Sequence, residues 1–181
     1  MSGPGGAEGW SVLGQESVAR VRKIHLRRVR MRMPDGQEAD FEVIDTPDVA
    51  LMIPFLADRS LVLVRQFRPP WNRSSWECPA GTLEPGEGPE AGGRRELAEE
   101  TGYRGGVWRR VGQFHATALY TGRFHLFRVD APEPGPSRPD ATEFLEVRAF
   151  SVPDVRQLVA MGEMVHGPSL AALGMCGILR P

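Results

Sequence analysis

Two apolar runs stand close together in the first half of the chain, VALMIPFL at 49–56 and LVLVRQFR at 61–68, with only ADRS between them. Runs of this length with little polar alternation suit strands covered on both faces, and the short link suits a hairpin. They predict a pair of mostly buried strands. Any fold for the chain has to put a sheet where those strands lose their water.

The flanks extend the sheet reading. Upstream, VARVRKIHLRRVRMRM (18–33) partly alternates, most cleanly where Val29, Met31 and Met33 interleave with Arg28, Arg30 and Arg32. That is the period of a half-buried strand. PDG at 34–36 supplies turn residues, and QEADFEVIDT returns as a second strand, so a basic strand lies beside an acidic one. Downstream, RPPW breaks the pattern and a loop-rich stretch reaches SSWECPAGTLEPGEGPE. A helix is expected over 89–101: Pro89 suits its first turn, Glu90 its positive end and Gly102 its termination. Gly92 and Gly93 inside it cost about 1 kcal/mol each relative to alanine, so something other than propensity must hold it. GVWRRVGQFHA, RFHLFRVDA and EFLEVRAFS read as strands, PEPGPSRPD (132–140) as a loop, and 153–162 and 168–178 as helices. Strands in runs with a few late helices predict an α+β chain, an α/β/α sandwich around a mixed sheet, with an antiparallel strand region at its N-terminal end.

A length of 181 residues suits one domain. Residues 1–17 are expected as a flexible tail and 18–181 as a single domain. The net charge of −1 gives no general attraction to nucleic acid or membrane, and the seven Lys and Arg between 20 and 32 are offset by the acidic strand beside them. Cys78 and Cys176 make no disulfide framework or zinc spacing, and MSGPGGAEGW lacks the features of a signal peptide. A cytoplasmic protein is expected, with a small-molecule partner.

The chemistry concentrates in GGRRELAEETG (92–102). On a helix Glu96, Glu99 and Glu100 share a face, and three stacked carboxylates repel unless cations sit among them. Clustered carboxylate oxygens suit Mg²⁺ or Mn²⁺. Such a cation neutralises phosphate oxygens and acidifies water, the equipment for attack on a pyrophosphate. Arg95 can brace the carboxylates by bidentate pairing, with Glu87 or Glu99 as its partner.

The full spacing is Gly81, five residues, Glu87, seven residues, Arg95-Glu96-Leu97, one residue, Glu99-Glu100, one residue, Gly102, then Tyr103. Seven specified Gly, Glu or Arg positions at ordinary abundance coincide by chance about once in 10⁸ placements. The pattern resembles the Nudix box at every position. LVLVRQFRPP, WECPAG and GEMVHGPSLAAL further resemble the ADP-ribose and nucleotide-sugar pyrophosphatase branch of that family, so the likeness spans about residues 18–178. It implies a loop-helix-loop against a mixed sheet and hydrolysis of a nucleoside diphosphate derivative, ADP-ribose or a nucleotide sugar, to a nucleoside monophosphate and a sugar phosphate. It implies metal ligation by Glu96, Glu99, Glu100 and the Ala80 carbonyl, and substrate contacts from Arg65, Arg68 and Glu77. Arg95 and Glu99 fall among its catalytic residues, with Glu143 as a general base carried on a late loop and Asp140 and Glu146 as rivals. It also implies a homodimer formed through the strands at 18–46. The chain departs from that branch in GQFHATALYTGRFH, which lacks a proline and carries Tyr120 where dinucleoside polyphosphate hydrolases have a tyrosine. GDP-mannose, a dinucleoside polyphosphate or a non-catalytic nucleotide-sensing role stay open. Trp10, Trp71, Trp76 and Phe41 are candidates for stacking on a base.

Overall fold

A computed structural model describes residues 9–137 and 144–180. The chain divides into two compact units, Met1–Pro47 with Thr117–Arg123, and Asp48–Ala116 with Phe124–Pro181.

In the first unit β1 (Ser11–Val21), β2 (Ile24–Arg32) and β3 (Glu38–Asp45) form an antiparallel sheet in that order. The expected tail to residue 17 is corrected, because the strand begins at Ser11. The single alternating stretch at 18–33 is likewise two strands turning at Arg22 and Lys23, with Arg22 at φ 51°. No apolar period marks β1, and all of it is exposed. What holds it is polar pairing across to β2: Glu16 to Arg28 at 2.6 Å, Ser17 to His25 at 2.9 Å, and Gln15 to Arg27. On the other edge Arg27 forks onto Asp45 at 2.6 and 2.7 Å, and Glu38 meets Arg30 and Arg32. The basic strand is therefore bracketed by acidic groups on both sides. Exposed pairs of this kind are screened by solvent and contribute little individually.

The second unit is built on a seven-stranded sheet of order β10-β5-β4-β9-β8, where β6 also pairs with β5 and β7 with β4. Its strands are β4 (Val49–Phe55), β5 (Leu61–Arg68), β6 (Arg73–Glu77), β7 (Ala80–Thr82), β8 (Val107–His115), β9 (Arg123–Asp130) and β10 (Glu146–Phe150). β4 runs parallel to β9 and antiparallel to β5 and β7, which makes the sheet mixed. β6 and β7 occupy the segment expected to be loop. They are short, and their partners β5 and β4, more than their own pattern, define them.

β4 shows why the apolar runs lack alternation. Successive side chains of a strand point to opposite faces. Ala50 and Met52 pack with Leu83, Leu97, Val129 and Trp108 on the face of helix α1 (Pro89–Thr101). Leu51 and Ile53 pack with Leu63, Leu126, Val155 and Leu173 on the face of α2 (Val152–Ala160) and α3 (Gly167–Met175). Both faces are covered, so the chain is α+β with helices on either side of a mixed sheet. Among the described residues no helix is long and apolar enough to cross a membrane.

The glycines within α1 have a packing reason. A Cβ on Gly93 would stand 3.0 Å from Trp108 and 3.3 Å from the Met52 sulfur, while one on Gly92 would overlap Leu83 and come within 2.8 Å of Glu87 Oε2. The helix thus lies closer to the sheet and to the 83–87 loop than any larger residue allows. Contact rather than propensity fixes its place. Its end is set by Gly102 at φ 78°, the left-handed cap, whose N–H bonds the Ala98 carbonyl at 3.1 Å.

Candidate active site

The helix α1 carries its carboxylates toward β7. A Cβ on Gly81 would fall on the carboxyl group of Glu96, so that carboxyl lies directly against the strand backbone. Glu100 is 5% exposed, and its Oε2 accepts the Ala80 N–H at 3.1 Å. Two carboxylates from one helix face are therefore drawn to the same two residues of β7.

Arg95 knits the rest. Its Nε and Nη2 donate to the two Glu87 oxygens at 3.0 and 2.9 Å, and its Nη1 donates to Glu96 at 2.8 Å and to Glu99 at 3.0 Å. Nη2 also reaches the Thr82 carbonyl at 3.3 Å, and Glu87 Oε2 accepts the Glu84 N–H at 2.9 Å. The choice left open between Glu87 and Glu99 resolves as both, with Glu96 added. Hydrogen bonding to Glu87 and then to Glu96 raises the Arg95 pKa beyond its already high value, against the opposing effect of burial. The arginine is a permanent cation holding the carboxylates of Glu87, Glu96 and Glu99.

Among the described residues no three His, Cys, Asp or Glu side chains form a ready metal-holding group. The donor chemistry nevertheless fits a hard cation. The Gly81 gap is filled by the Glu96 carboxyl, Glu100 lies at Ala80, and all candidate donors are oxygens. The arrangement brings Ala80, Glu96 and Glu100 together, with Glu99 joined through the shared Arg95 nitrogen.

A second cluster gathers Arg68 and Glu77. The Arg68 fork donates to Glu77 at 2.9 and 2.5 Å, and Glu77 is 1% exposed. His166, the residue that caps α3, brings Nδ1 to 3.2 Å from Glu77 and 2.9 Å from Ser169 Oγ, which accepts the Cys78 N–H at 2.9 Å. Burial lowers the His166 pKa and outweighs the upward pull of Glu77, while Arg68 adds to the lowering. Burial pushes the Cys78 thiol up to about 12, so it is a packed and unreactive sulfur. Sequence reasoning missed His166. Its signal was a titratable residue placed directly before the Gly-Pro start of a helix that packs on the strand carrying Glu77.

The other candidates are spread out. Arg65 faces Glu146 across β5 and β10, with 3.7 Å between Nη1 and Oε2, both on the surface. Glu143 and Asp140 lie outside the described residues. Trp76 is corrected as a stacking candidate: it is buried edge-on against Phe150 and belongs to the core. Trp71 is exposed, with its ring centroid 6.2 Å from that of His166. Trp10 and Phe41 meet edge to face within the N-terminal unit, where the Tyr120 backbone also pairs with Ile44.

A NUDIX domain profile matches residues 45–173. The chain is 27% identical over 164 residues to an ADP-ribose pyrophosphatase of Bacillus subtilis (strain 168), covering 89% of each chain. It is 34% identical over 107 residues to an ADP-sugar pyrophosphatase of Mus musculus, covering 53% of this chain and 49% of the relative. A crystal structure of an ADP compounds hydrolase superposes with a TM-score of 0.82 at 19% identity, covering 93% of this chain and 92% of the other, which shows a shared fold.

Two expectations test the contacts. Gly81→Ala should drive the Glu96 carboxyl from its position and cost about 1–3 kcal/mol by overpacking, read by urea denaturation; wild-type stability with Glu96 unmoved in a crystal structure would refute the close contact. The second concerns pH. The folded pKa of His166 lies below its ordinary 6.5, so the unfolded chain takes up the proton first. The stability involved is whole above pH 6.5 and is lost as pH falls through the folded value. Urea midpoints of wild type and His166→Gln, compared across that range, should converge toward low pH; curves that stay parallel would show that His166 does not titrate in this way.

Proposed function

The chain belongs to the Nudix family, and from that premise we propose that it is a divalent-metal-dependent pyrophosphohydrolase acting on a nucleoside diphosphate derivative, ADP-ribose or an ADP-sugar first. The products are a nucleoside monophosphate and a sugar phosphate. The observation that carries the reading is the carboxylate fan of Glu96, Glu99 and Glu100, in which Arg95 joins Glu96 to Glu99 while Glu96 lies against Gly81 and Glu100 accepts the Ala80 N–H. The likeness to the Bacillus ADP-ribose pyrophosphatase and the mouse ADP-sugar pyrophosphatase supports the choice of substrate.

In this reading Glu96, Glu100 and the Ala80 carbonyl would hold Mg²⁺ or Mn²⁺, with Glu99 as a further ligand or as the group that activates water. The cation supplies charge neutralisation for the diphosphate and acidifies water. Everything else falls to the chain itself. Arg95 keeps the carboxylates from splaying under their mutual repulsion. Glu77 orients Arg68 through the two-point fork, and Arg68 is the contact to the diphosphate or terminal ribose. Arg65 is a weaker contact to the same groups, since it must leave Glu146 to make it. The attacking water gives its proton to Glu143 or, failing that, to Glu99. Its oxygen forms the new bond to phosphorus as the bridging P–O bond breaks, and the bridging oxygen leaves with the other phosphate.

A homodimer joined by β1–β3 belongs to the same proposal. β1 is an edge strand with Val12, Leu13, Val18 and Val21 all exposed, the kind of edge that pairing with a second copy would cover.

The test is a panel of ADP-ribose, nucleotide sugars including GDP-mannose, dinucleoside polyphosphates and nucleoside triphosphates, with products analysed after reaction in ¹⁸O-water. ADP-ribose or an ADP-sugar should give the highest kcat/KM. Glu100→Gln should lower turnover by more than about 100-fold with unchanged circular dichroism. Near-normal turnover in that variant, or tight binding without any product in the wild type, would overturn the reading.

A further inference from the structure

The second unit contains a cavity far from the carboxylate fan. Ala80 and Gly81 pair with Leu51 and Ala50, whereas Phe55 at the other end of β4 lines the cavity, about 13 Å further along the strand. Its remaining walls come from the 56–59 turn, the end of β9, α2 and the chain after α3, the last two on the sheet face opposite α1. The volume is about 400 Å³, within the range of small-molecule sites.

The walls are apolar where Phe55, Val152 and Ile178 meet, and three guanidinium groups line them, those of Arg59, Arg128 and Arg156. Only one acid, Asp130, is among the lining residues. It is already shared, with Arg128 at 2.7 Å on one oxygen and Arg109 on the other. Arg156 gives its Nε to the Ile178 carbonyl at 2.7 Å and meets no carboxylate among the described residues. Arg59 is exposed to solvent and has no side-chain hydrogen bond or ion pair with a described residue. Two of the lining arginines, Arg59 and Arg156, thus have no carboxylate partner among the described residues. They enter from different elements, one from the 56–60 turn and one from α2.

The backbone around it is strained in the same place. Arg59 has φ 70° and Ala131 has φ 51°, two of the four non-glycine residues with positive φ among those described. Arg59 closes the hairpin between β4 and β5, with its N–H on the Leu56 carbonyl at 2.9 Å and the Leu56 N–H on the Ser60 carbonyl at 2.8 Å. Glycine is the usual residue at such a turn position, and an L residue there costs about 1 kcal/mol. Strain of this kind gathers where a ligand is clamped.

We propose that this cavity binds a small phosphomonoester with a planar or apolar body, its phosphate held between Arg59 and Arg156 and its body lying against Phe55, Val152 and Ile178. Two unbalanced cations match a dianion, and a phosphate has enough oxygens to accept from both forks. A carboxylate would leave one of them unmatched. Arg128, stacked 4.4 Å over the Phe55 ring and tied to Asp130, completes the wall beside the body. The site is independent of the hydrolytic reading, since none of its residues belongs to the carboxylate fan or the Arg68 cluster.

The test uses the full chain and ¹³C-methyl and ¹⁵N-amide NMR, with AMP, inorganic phosphate and adenosine as probes. AMP should shift the methyl signals of Val152 and Ile178, adenosine should leave them in place, and inorganic phosphate should bind about tenfold more weakly than AMP. Arg59→Gly suits the local φ and keeps the fold. It should weaken AMP at these methyls by about tenfold or more while leaving kcat and KM unchanged. Arg156→Gln provides a second variant with the same expected loss. Unmoved methyls at millimolar AMP, equal shifts with adenosine, phosphate binding as tight as AMP, unweakened binding in both variants, or shifts confined to the Ala80 and Gly81 amides would each overturn the proposal.

Discussion

One guanidinium holds the functional end of this protein together. Arg95 has Glu87, Glu96 and Glu99 within hydrogen-bond reach, and each would repel the next without it. Because Glu87 belongs to the loop and the other two to the helix, the same group that neutralises the fan also ties the 82–87 loop to α1. Charge balance and loop conformation are thus one interaction. A lysine could supply the charge but lacks the planar fork that meets both oxygens of Glu87.

That interaction depends in turn on how near α1 lies to the sheet. A methyl group at Gly81 or Gly92 would overlap the side chain of Glu96 or Leu83, and one at Gly93 would press on Trp108. Their combined effect is to seat a charged helix against β7 and β4 at a separation that any larger residue would have to displace a neighbour to reach. The cost of glycine within a helix, about 1 kcal/mol each, is offset by packing Leu97 into the Ala50–Met52 cluster and by the ion pairs that the seating allows. Function here constrains a distance, and the distance selects the residue.

Much of this was legible in the sequence because it is local. The 89–101 helix, the buried hairpin and the carboxylate spacing all follow from residues within one turn or one strand of each other. β1 was not legible: its cohesion lies in polar pairs with β2, and an exposed strand rich in Gln, Glu and Ser has no apolar period to read. β6 and β7 escaped for a related reason, being defined by the strands they border. His166 escaped because its meaning arises only when α3 returns to the strand bearing Glu77, 89 positions earlier in the chain. The two glycines of α1 looked like flaws until the neighbours that explain them were in place.

The C-terminal cap of α1 has a consequence for how such a protein can diversify. A Cβ on Gly102 would strike the Gly135 carbonyl, and Arg104 bonds both the Gly102 carbonyl at 3.0 Å and the Pro136 carbonyl at 2.8 Å, while its backbone exchanges two bonds with Glu133. The chain is thus anchored at Pro136 and anchored again at Glu146, where β10 begins. A larger residue at position 102 therefore reaches descendants of such a chain only together with a shift of the backbone at 135–137, so the end of the carboxylate helix and this distant stretch must change as a pair.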